Sequence, residues 1–514
     1  MRTRTGQILS AVTLWALTGV ITSMSPAVSM AQSPAKVDSR FEAARSVIRQ
    51  AMDEKQIPSV SVAVAKDGKI IWEESFGWAD REKMIRATPD TVYSIASISK
   101  PFTATALMRL VEQGKIDLDK PANDYLGAAK LTGLAGDASA ATVRRVLSHT
   151  AGLPYHYHFF YNNESDGPPG MDESIAHYGL IVTPPGEAWE YSNLGYGIID
   201  YIIARTSGRD YTDYMRTEVF VPLGLTHTSV DIGPGLESYA AQRYDAQQRP
   251  IPFYTFDHRG GSSVYASAHD LLRFGMFHLK DHLQYQQAIL KDSTLDQMHQ
   301  TTTPPVPKQP GLGYGIGWLT KTDDHGYRSV FHTGGMPGVS TALALYPSED
   351  LAVVVLTNNY AGITPKMMQA IVGCVLPKYA DAVRNDKDQS PPKSGPFTPN
   401  PQLLGAWTGT VRTWKDKMAI SIVFQQDGDI HVKLGEQLET LVNDASFRED
   451  GTLEGRFVSS ITTPDVNRYR HSLLLHLRLR GDKLSGQVIA ETPDDSVHYA
   501  LASYAELTRK TDAK

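Results

Sequence analysis

The sequence predicts an α+β fold built on an antiparallel sheet, followed by a small all-β domain. Three observations lead there. Strand patterns stand early and late in the first part of the chain, with helix patterns between them. The composition then breaks in "RNDKDQSPPKSGPFTPNP", and beyond it apolar and polar residues alternate in one short segment after another.

The first 31 residues stand apart. Arg2 and Arg4 precede an apolar run from Ile8 to Ile21, and "SMAQ" offers a small-residue cleavage site after Ala31. This is the pattern of a secretory signal peptide, so the mature chain is expected to be secreted or periplasmic. Ser10, Thr13 and Thr18 interrupt the run, and no later segment is apolar for long enough to span a bilayer. No stable transmembrane anchor is therefore expected after cleavage.

The larger, α+β domain is expected over 32–383. Residues 38–55 carry apolar positions at helical spacing, and "PSVSVAVAKDGKIIWEESFG" reads as two strands joined at Asp67-Gly68, a hairpin signal. Helical spacing returns over 101–116, 141–148, 195–207 and 268–280. "YRSVFHTGG", "STALALYP" and "LAVVVLTNN" then supply late strands, which can share a sheet with the early ones only if distant parts of the chain meet. Residues 384–401 read as a proline-rich linker, and 402–514 as a small barrel or sandwich.

Composition narrows the function. With 50 Lys and Arg against 56 Asp and Glu, the net charge is −6, and no basic stripe invites nucleic acid. A single cysteine, Cys374, excludes an internal disulfide and a thiolate zinc cluster, and its apolar setting reads as a small buried hydrophobe. His156 and His158 alternate in "PYHYHFF", but no third ligand is evident nearby, so no metal and no cofactor are expected.

The chemistry rests on Ser97 and Lys100 in "SISK". A serine hydroxyl needs a base to become a nucleophile, and lysine serves only when neutral. Moving its pKa from about 10.4 to near ~7 takes about 4–5 kcal/mol of differential interaction, which burial and nearby positive charge supply. At i, i+3 on a helix the two side chains share a face. Pro101 fits a helix start, so Ser97 is expected at or just before the first turn, where the orphan N–H groups favour an oxyanion. Two rival Ser-x-x-Lys pairs, Ser33–Lys36 and Ser390–Lys393, lie beside the cleavage point and in the linker, and neither opens a core helix.

Partners should come from elsewhere in the chain. "WEYSNLGYG" places Tyr191, Ser192 and Asn193 in a turn before a helix, where a tyrosine of lowered pKa relays protons and the Asn193 amide holds a substrate carbonyl. Tyr161-Asn162-Asn163 has the same spacing but reads as a polar loop. A third element should be a strand edge with glycines beside the nucleophile. Of Lys393-Ser394-Gly395 and His332-Thr333-Gly334, the second follows a strand pattern, while the first sits among prolines that cannot donate to a ladder.

In order and context, Ser97-Ile98-Ser99-Lys100, Tyr191-Ser192-Asn193 and His332-Thr333-Gly334 resemble the penicillin-recognising serine hydrolases. The likeness is to the branch of class C β-lactamases, D,D-carboxypeptidases, D-aminopeptidases and related esterases, over roughly residues 40–380. "VLSHTAGLP", "PPGEAWEYSNLGYG", "GGSSVYASAHDLLRF" and "YGIGW" support it. The resemblance implies a β-lactamase/transpeptidase-like sheet, acylation of Ser97, and acid–base work shared by Lys100 and Tyr191. It also implies substrate binding at Asn193, His332, Thr333, Gly334 and Gly335, with Ser97 and Gly335 N–H groups as an oxyanion hole. His332 stands where most β-lactamases carry lysine, which resembles D,D-peptidases and D-aminopeptidases. A pH limb near 6–7 is expected if it handles charge. "LLGAWTGTV" resembles the opening strand of lipocalin-like domains, implying a lipocalin-like C-terminal barrel.

Three further groups read as follows. His149 is expected to shape a turn beside the site. Tyr314 and Trp318 suit either a cleft wall or the core. The substrate is expected to be a small molecule or peptide, with D-amino-acid peptides or related amides and esters ahead of β-lactams or carboxylic esters. From another class stands a slow-acylating envelope binding protein without turnover.

Overall fold

The computed structural model describes residues 38–510, apart from 305, 307–308, 310, 323–325, 381–396, 399 and 495. The expected signal peptide, both rival Ser-x-x-Lys pairs, Lys393-Ser394-Gly395 and most of the expected linker lie outside the described residues.

The early and late strands meet. Ser59–Lys66 pairs antiparallel with Leu351–Thr357 on one side and with Lys69–Asp80 on the other. The hairpin turns at Asp67 and Gly68, both with positive φ (52° and 67°), the geometry that Asp-Gly supplies without strain. An eight-stranded sheet follows, in the order Leu312–Tyr314, Leu319–Thr322, Arg328–Met336, Val339–Tyr346, Leu351–Thr357, Ser59–Lys66, Lys69–Asp80, Ile85–Arg86. Its central strands are buried on both faces, which is why "LAVVVLT" is apolar throughout rather than alternating.

One face carries the helices Glu42–Lys55 and Thr364–Val375, packed on Val60, Val62, Val353 and Val355. The other face carries the core that holds the site: Ser99–Glu112, Asn193–Ser207 and Ala268–Leu279. The helix expected over 101–116 thus begins two residues earlier and ends at Glu112, with Pro101 in its first turn, where it costs no hydrogen bond. Cys374 is half-buried rather than fully inside.

The C-terminal region is a nearly closed antiparallel barrel of nine strands between Gly405 and Arg509. Trp407 is fully buried in it and donates its indole N–H to Leu403 O at 2.7 Å. The barrel is not a detached appendage. Its last strand, Tyr499–Arg509, pairs through Tyr499 and Ala500 with His158 and Tyr157 on the strand Tyr157–Tyr161, which in turn pairs with Tyr254–Phe256. From Arg40 onward the described residues form one compact unit. Among the described residues, no helix is long and apolar enough to cross a membrane.

Candidate active site

Ser97 lies in the single 3-10 turn Ala96–Ile98 that runs straight into the helix Ser99–Glu112. Ala96 takes a positive φ of 48°, uncommon for a residue with a Cβ, and this bend presents Ser97 while its neighbours stay buried. Ser99 pins the turn: its hydroxyl donates to Ala96 O at 2.6 Å and accepts from Val264 N at 2.9 Å.

Lys100 is completely buried, and Nζ sits 3.1 Å from Ser97 Oγ. It also donates to Asn193 Oδ1 at 2.8 Å and Gly261 O at 3.0 Å. All three partners are uncharged, so burial holds the ammonium pKa well below the ordinary lysine value. A neutral amine beside a serine hydroxyl is what base activation needs. The rings of Tyr191 and Tyr196 flank Nζ, with centroids at 4.7 and 5.6 Å.

Tyr191 and Asn193 arrive as expected. Ser192 caps the helix Asn193–Ser207 by accepting from Gly195 N, and Asn193 is its first residue. Tyr191 hydrogen-bonds Ser97, but burial pushes its phenol above the ordinary value, and the Ser97 bond offsets only part of that. The expectation of a lowered tyrosine pKa therefore fails. Tyr191 is a neutral phenol, able to pass a proton but not resident as phenolate.

The strand Arg328–Met336 brings the third motif. Leu319–Thr322 pairs with it only through Arg328–Phe331, so from His332 to Met336 that edge has no ladder partner among the described residues. Alternation places Thr333 and Gly335 outward and His332 and Gly334 inward. Gly334 presses on the Ser97 turn: a Cβ there would lie 2.2 Å from Ile95 O. His332 is buried, with Nε2 3.2 Å from Tyr314 OH and Nδ1 2.8 Å from Thr333 O. Burial, with help from Lys100, pulls its pKa down to about 3. His332 is neutral from pH 6 to 7, and the expected titration there does not arise from it.

The side residues sort out. His149 has φ 60° and accepts Ser192 N at 3.1 Å through Nδ1, so it shapes the turn, as expected. Tyr314 and Trp318 are fully buried core rather than cleft wall. Tyr161 ends a strand and donates to Val497 O.

His156 is corrected. Partners do exist, a hundred positions away: Asp257 takes His156 Nε2 at 2.8 Å and His258 Nδ1 at 2.6 Å, and all three are buried. Ser174 donates to the same carboxylate at 3.1 Å, so Asp257 is satisfied by these donors. His158 is not among them. Sequence reading also missed Gly261, although "GGSS" was on view; a backbone carbonyl leaves no residue-type signal.

With this geometry in place, comparison with known families is decisive. The sequence matches the Beta-lactamase family over residues 44–370. The chain belongs to that family. Among its relatives, Protein flp of Staphylococcus aureus is 26% identical over 329 residues, covering 63% of this chain and 64% of that protein. The chain thus matches under two thirds of that relative's length. SurE, solved with D-Leu, superposes with a TM-score of 0.58 at 22% identity, covering 92% of this chain and 99% of its own. The octameric penicillin-binding protein homologue from Pyrococcus abyssi gives 0.56 at 22%, covering 90% and 99%. At such identity the likeness is one of fold, and its coverage takes in the C-terminal barrel of this Beta-lactamase family member.

Proposed function

We propose that this protein is an exported serine hydrolase that works through an acyl-enzyme on Ser97, on D-amino-acid peptides or related small amides and esters. The observation that carries the reading is the buried, uncharged surroundings of Lys100 Nζ at 3.1 Å from Ser97 Oγ.

In the first half-reaction Lys100 takes the Ser97 hydroxyl proton as Oγ bonds to the substrate carbonyl carbon. The carbonyl electrons move to oxygen, toward the N–H groups of Ser97 and Gly335, a donor pair of the kind worth ~3–4 kcal/mol per donor. As the tetrahedral intermediate collapses, the proton passes by way of Lys100 and Tyr191 to the leaving nitrogen or oxygen. Water then attacks the acyl-enzyme, its proton following the reverse route to Ser97. Asn193, Thr333 and the open edge from His332 onward hold the substrate backbone.

For the substrate class, two things favour D-amino-acid peptides: the third motif carries histidine and no fixed cation, and the chain-long structural likeness is to a protein solved with D-Leu. β-Lactams and carboxylic esters are the second reading within the enzyme class. A slow-acylating envelope binder is the reading from outside it; keeping Lys100, Tyr191 and Asn193 in contact argues for turnover.

The test is intact-mass spectrometry with steady-state assays on wild type and Ser97→Ala, using a fluorescent penicillin, a nitrophenyl ester and a D-alanyl amide. Acylation and turnover by wild type alone support the proposal, and the best substrate selects the class. A single burst without turnover selects the binder. Equal behaviour of both proteins rejects Ser97. Export is tested by the N-terminus of the protein recovered outside the cytoplasm, expected at Gln32.

A further inference from the structure

A neutral amine has two hydrogens and one lone pair. Around Lys100 Nζ, Asn193 Oδ1 and Gly261 O can only accept, so they take the two hydrogens, at 2.8 and 3.0 Å. The lone pair is left for the Ser97 hydroxyl. The direction of the base thus depends on two oxygens, and neither is fixed by its own chemistry. A carboxamide turned end for end would offer Lys100 a donor instead. Gly261 belongs to a single helical turn, Arg259–Ser262, too short to be stable alone.

What selects the Asn193 orientation is the backbone of His156, whose carbonyl accepts from Asn193 Nδ2 at 2.9 Å. The turn bearing Gly261 starts at its cap, His258, whose carbonyl accepts from Gly261 N at 3.0 Å. Asp257 holds both histidines by their side chains, Oδ2 to His156 Nε2 and Oδ1 to His258 Nδ1. The carboxylate is buried and ionised; burial opposes that charge, but His156 and His258 more than offset it. On the far side of the turn Gly260 N donates to Asp200 and Gly260 O accepts from Thr103. The link from Gly260 to Asp200 and Thr103 steadies the turn but does nothing for His156.

We propose that Asp257 is a positioning residue: through His156 and His258 it holds the two acceptors that aim the Lys100 lone pair at Ser97. The inference rests on reading Ser97 as nucleophile and Lys100 as its base. It places the control of base alignment in a carboxylate that touches neither substrate nor any reacting atom.

The experiment uses the full chain as wild type, Asp257→Asn, His156→Ala and His156→Gln. Acylable sites are first counted with a fluorescent penicillin or the burst of a nitrophenyl ester, and kcat and KM per acylable site are then measured across pH. Glutamine reproduces the Nε2 donor of His156, and alanine does not. Asp257→Asn and His156→Ala should lower kcat per site by ~10- to 100-fold, as a displacement near 1 Å does, with KM little changed. His156→Gln should recover most of the loss. With fewer acceptors to favour the ammonium, the acidic limb of kcat/KM should move to lower pH. If kcat per site and the limb stay at wild-type values while only thermal stability falls, Asp257 is structural and the proposal is overturned. Should Asp257→Asn not fold, the alanine–glutamine contrast at His156 decides alone, and equal rates overturn the proposal. A wild type that is never acylated would instead defeat the reading of Ser97, a separate result.

Discussion

Tyr314 and His332 face each other beneath the sheet, OH to Nε2 at 3.2 Å, and both are buried. The relationship assigns the third motif its two faces. His332 and Gly334 are buried, His332 against Tyr314 and Gly334 against the Ser97 turn; Thr333 and Gly335 are exposed. Histidine in this position is a packed, neutral hydrogen-bonding group.

A pH prediction follows from that. Since burial and Lys100 hold His332 at about 3, it does not change charge between pH 6 and 7. On the proposed mechanism the acidic limb of kcat/KM should belong to Lys100: activity should fall as pH falls through its lowered pKa, because the ammonium cannot accept the Ser97 proton. His332→Gln keeps a group at the Nε2 position for Tyr314, so its pH–rate profile should have the wild-type shape. Loss of a limb near pH 6–7 in this variant would return the titration to His332.

Lys100 itself should show opposed effects on activity and stability. Its partners bear no charge, so the folded state gains no ion pair from it and carries the cost of burial. Lys100→Met should reduce kcat/KM by about 10²- to 10⁴-fold, the range of a lost general base. The same variant should melt at or above the wild-type temperature. Calorimetry showing a clear loss of stability would mean the three hydrogen bonds outweigh the desolvation.

Two adjacent glycines predict a contrast. A Cβ on Gly334 would stand 2.2 Å from Ile95 O, 2.3 Å from Thr341 Oγ1 and 3.1 Å from Ala96 Cβ, so backbone beside Ser97 must shift. On Gly335 it would meet only the Tyr360 ring, at 3.1 Å, and Tyr360 is 63% exposed and can swing away. Gly334→Ala should therefore lower both melting temperature and kcat, the latter by ~100-fold for a ~1 Å displacement of the Ser97 turn. Gly335→Ala should leave stability near wild type. Equal melting temperatures for the two would contradict the packing described for Gly334.

How far the sequence could be read depends on what each residue contributes. Ser97, Lys100, Tyr191 and Asn193 act through side chains of distinctive chemistry at short spacings, and the structure brings all four together. The sheet was legible because "LAVVVLTNN" is a short β-branched run and "PSVSVAVAK" leads into the Asp67-Gly68 turn, both strand signals. Gly261 and His156 serve through backbone carbonyls, which every residue possesses, so no residue type marks them. Asp257 was invisible for another reason: its partners Ser174, His156 and His258 include two that lie 83 and 101 positions away. The protonation states of Tyr191 and His332 were misjudged because burial, not residue identity, sets them.

Behind the helix Ser99–Glu112 lies a buried chain that should make the fold acid-sensitive. Thr105 Oγ1 is 3.0 Å from His278 Nε2, and His278 Nδ1 is 3.2 Å from His299 Nε2. Burial holds His278 well below the ordinary histidine value; burial and then Arg328 bring His299 to about 3. Above about 6.5 both histidines are neutral in folded and unfolded chains alike, and they cost nothing. Below that pH the unfolded chain takes up protons that the folded one refuses, His299 until about 3 and His278 until well below the ordinary histidine value, so acidification favours unfolding. The melting temperature of wild type should therefore drop between pH 7 and 4. His299→Gln keeps a hydrogen-bonding group at the Nε2 position for His278 but removes one titrating ring, so its melting temperature should drop less over the same interval. Calorimetry at matched ionic strength gives the two curves. Parallel curves would mean that the acid sensitivity comes from other groups and that His299 is already charged, or already exposed, in the folded protein.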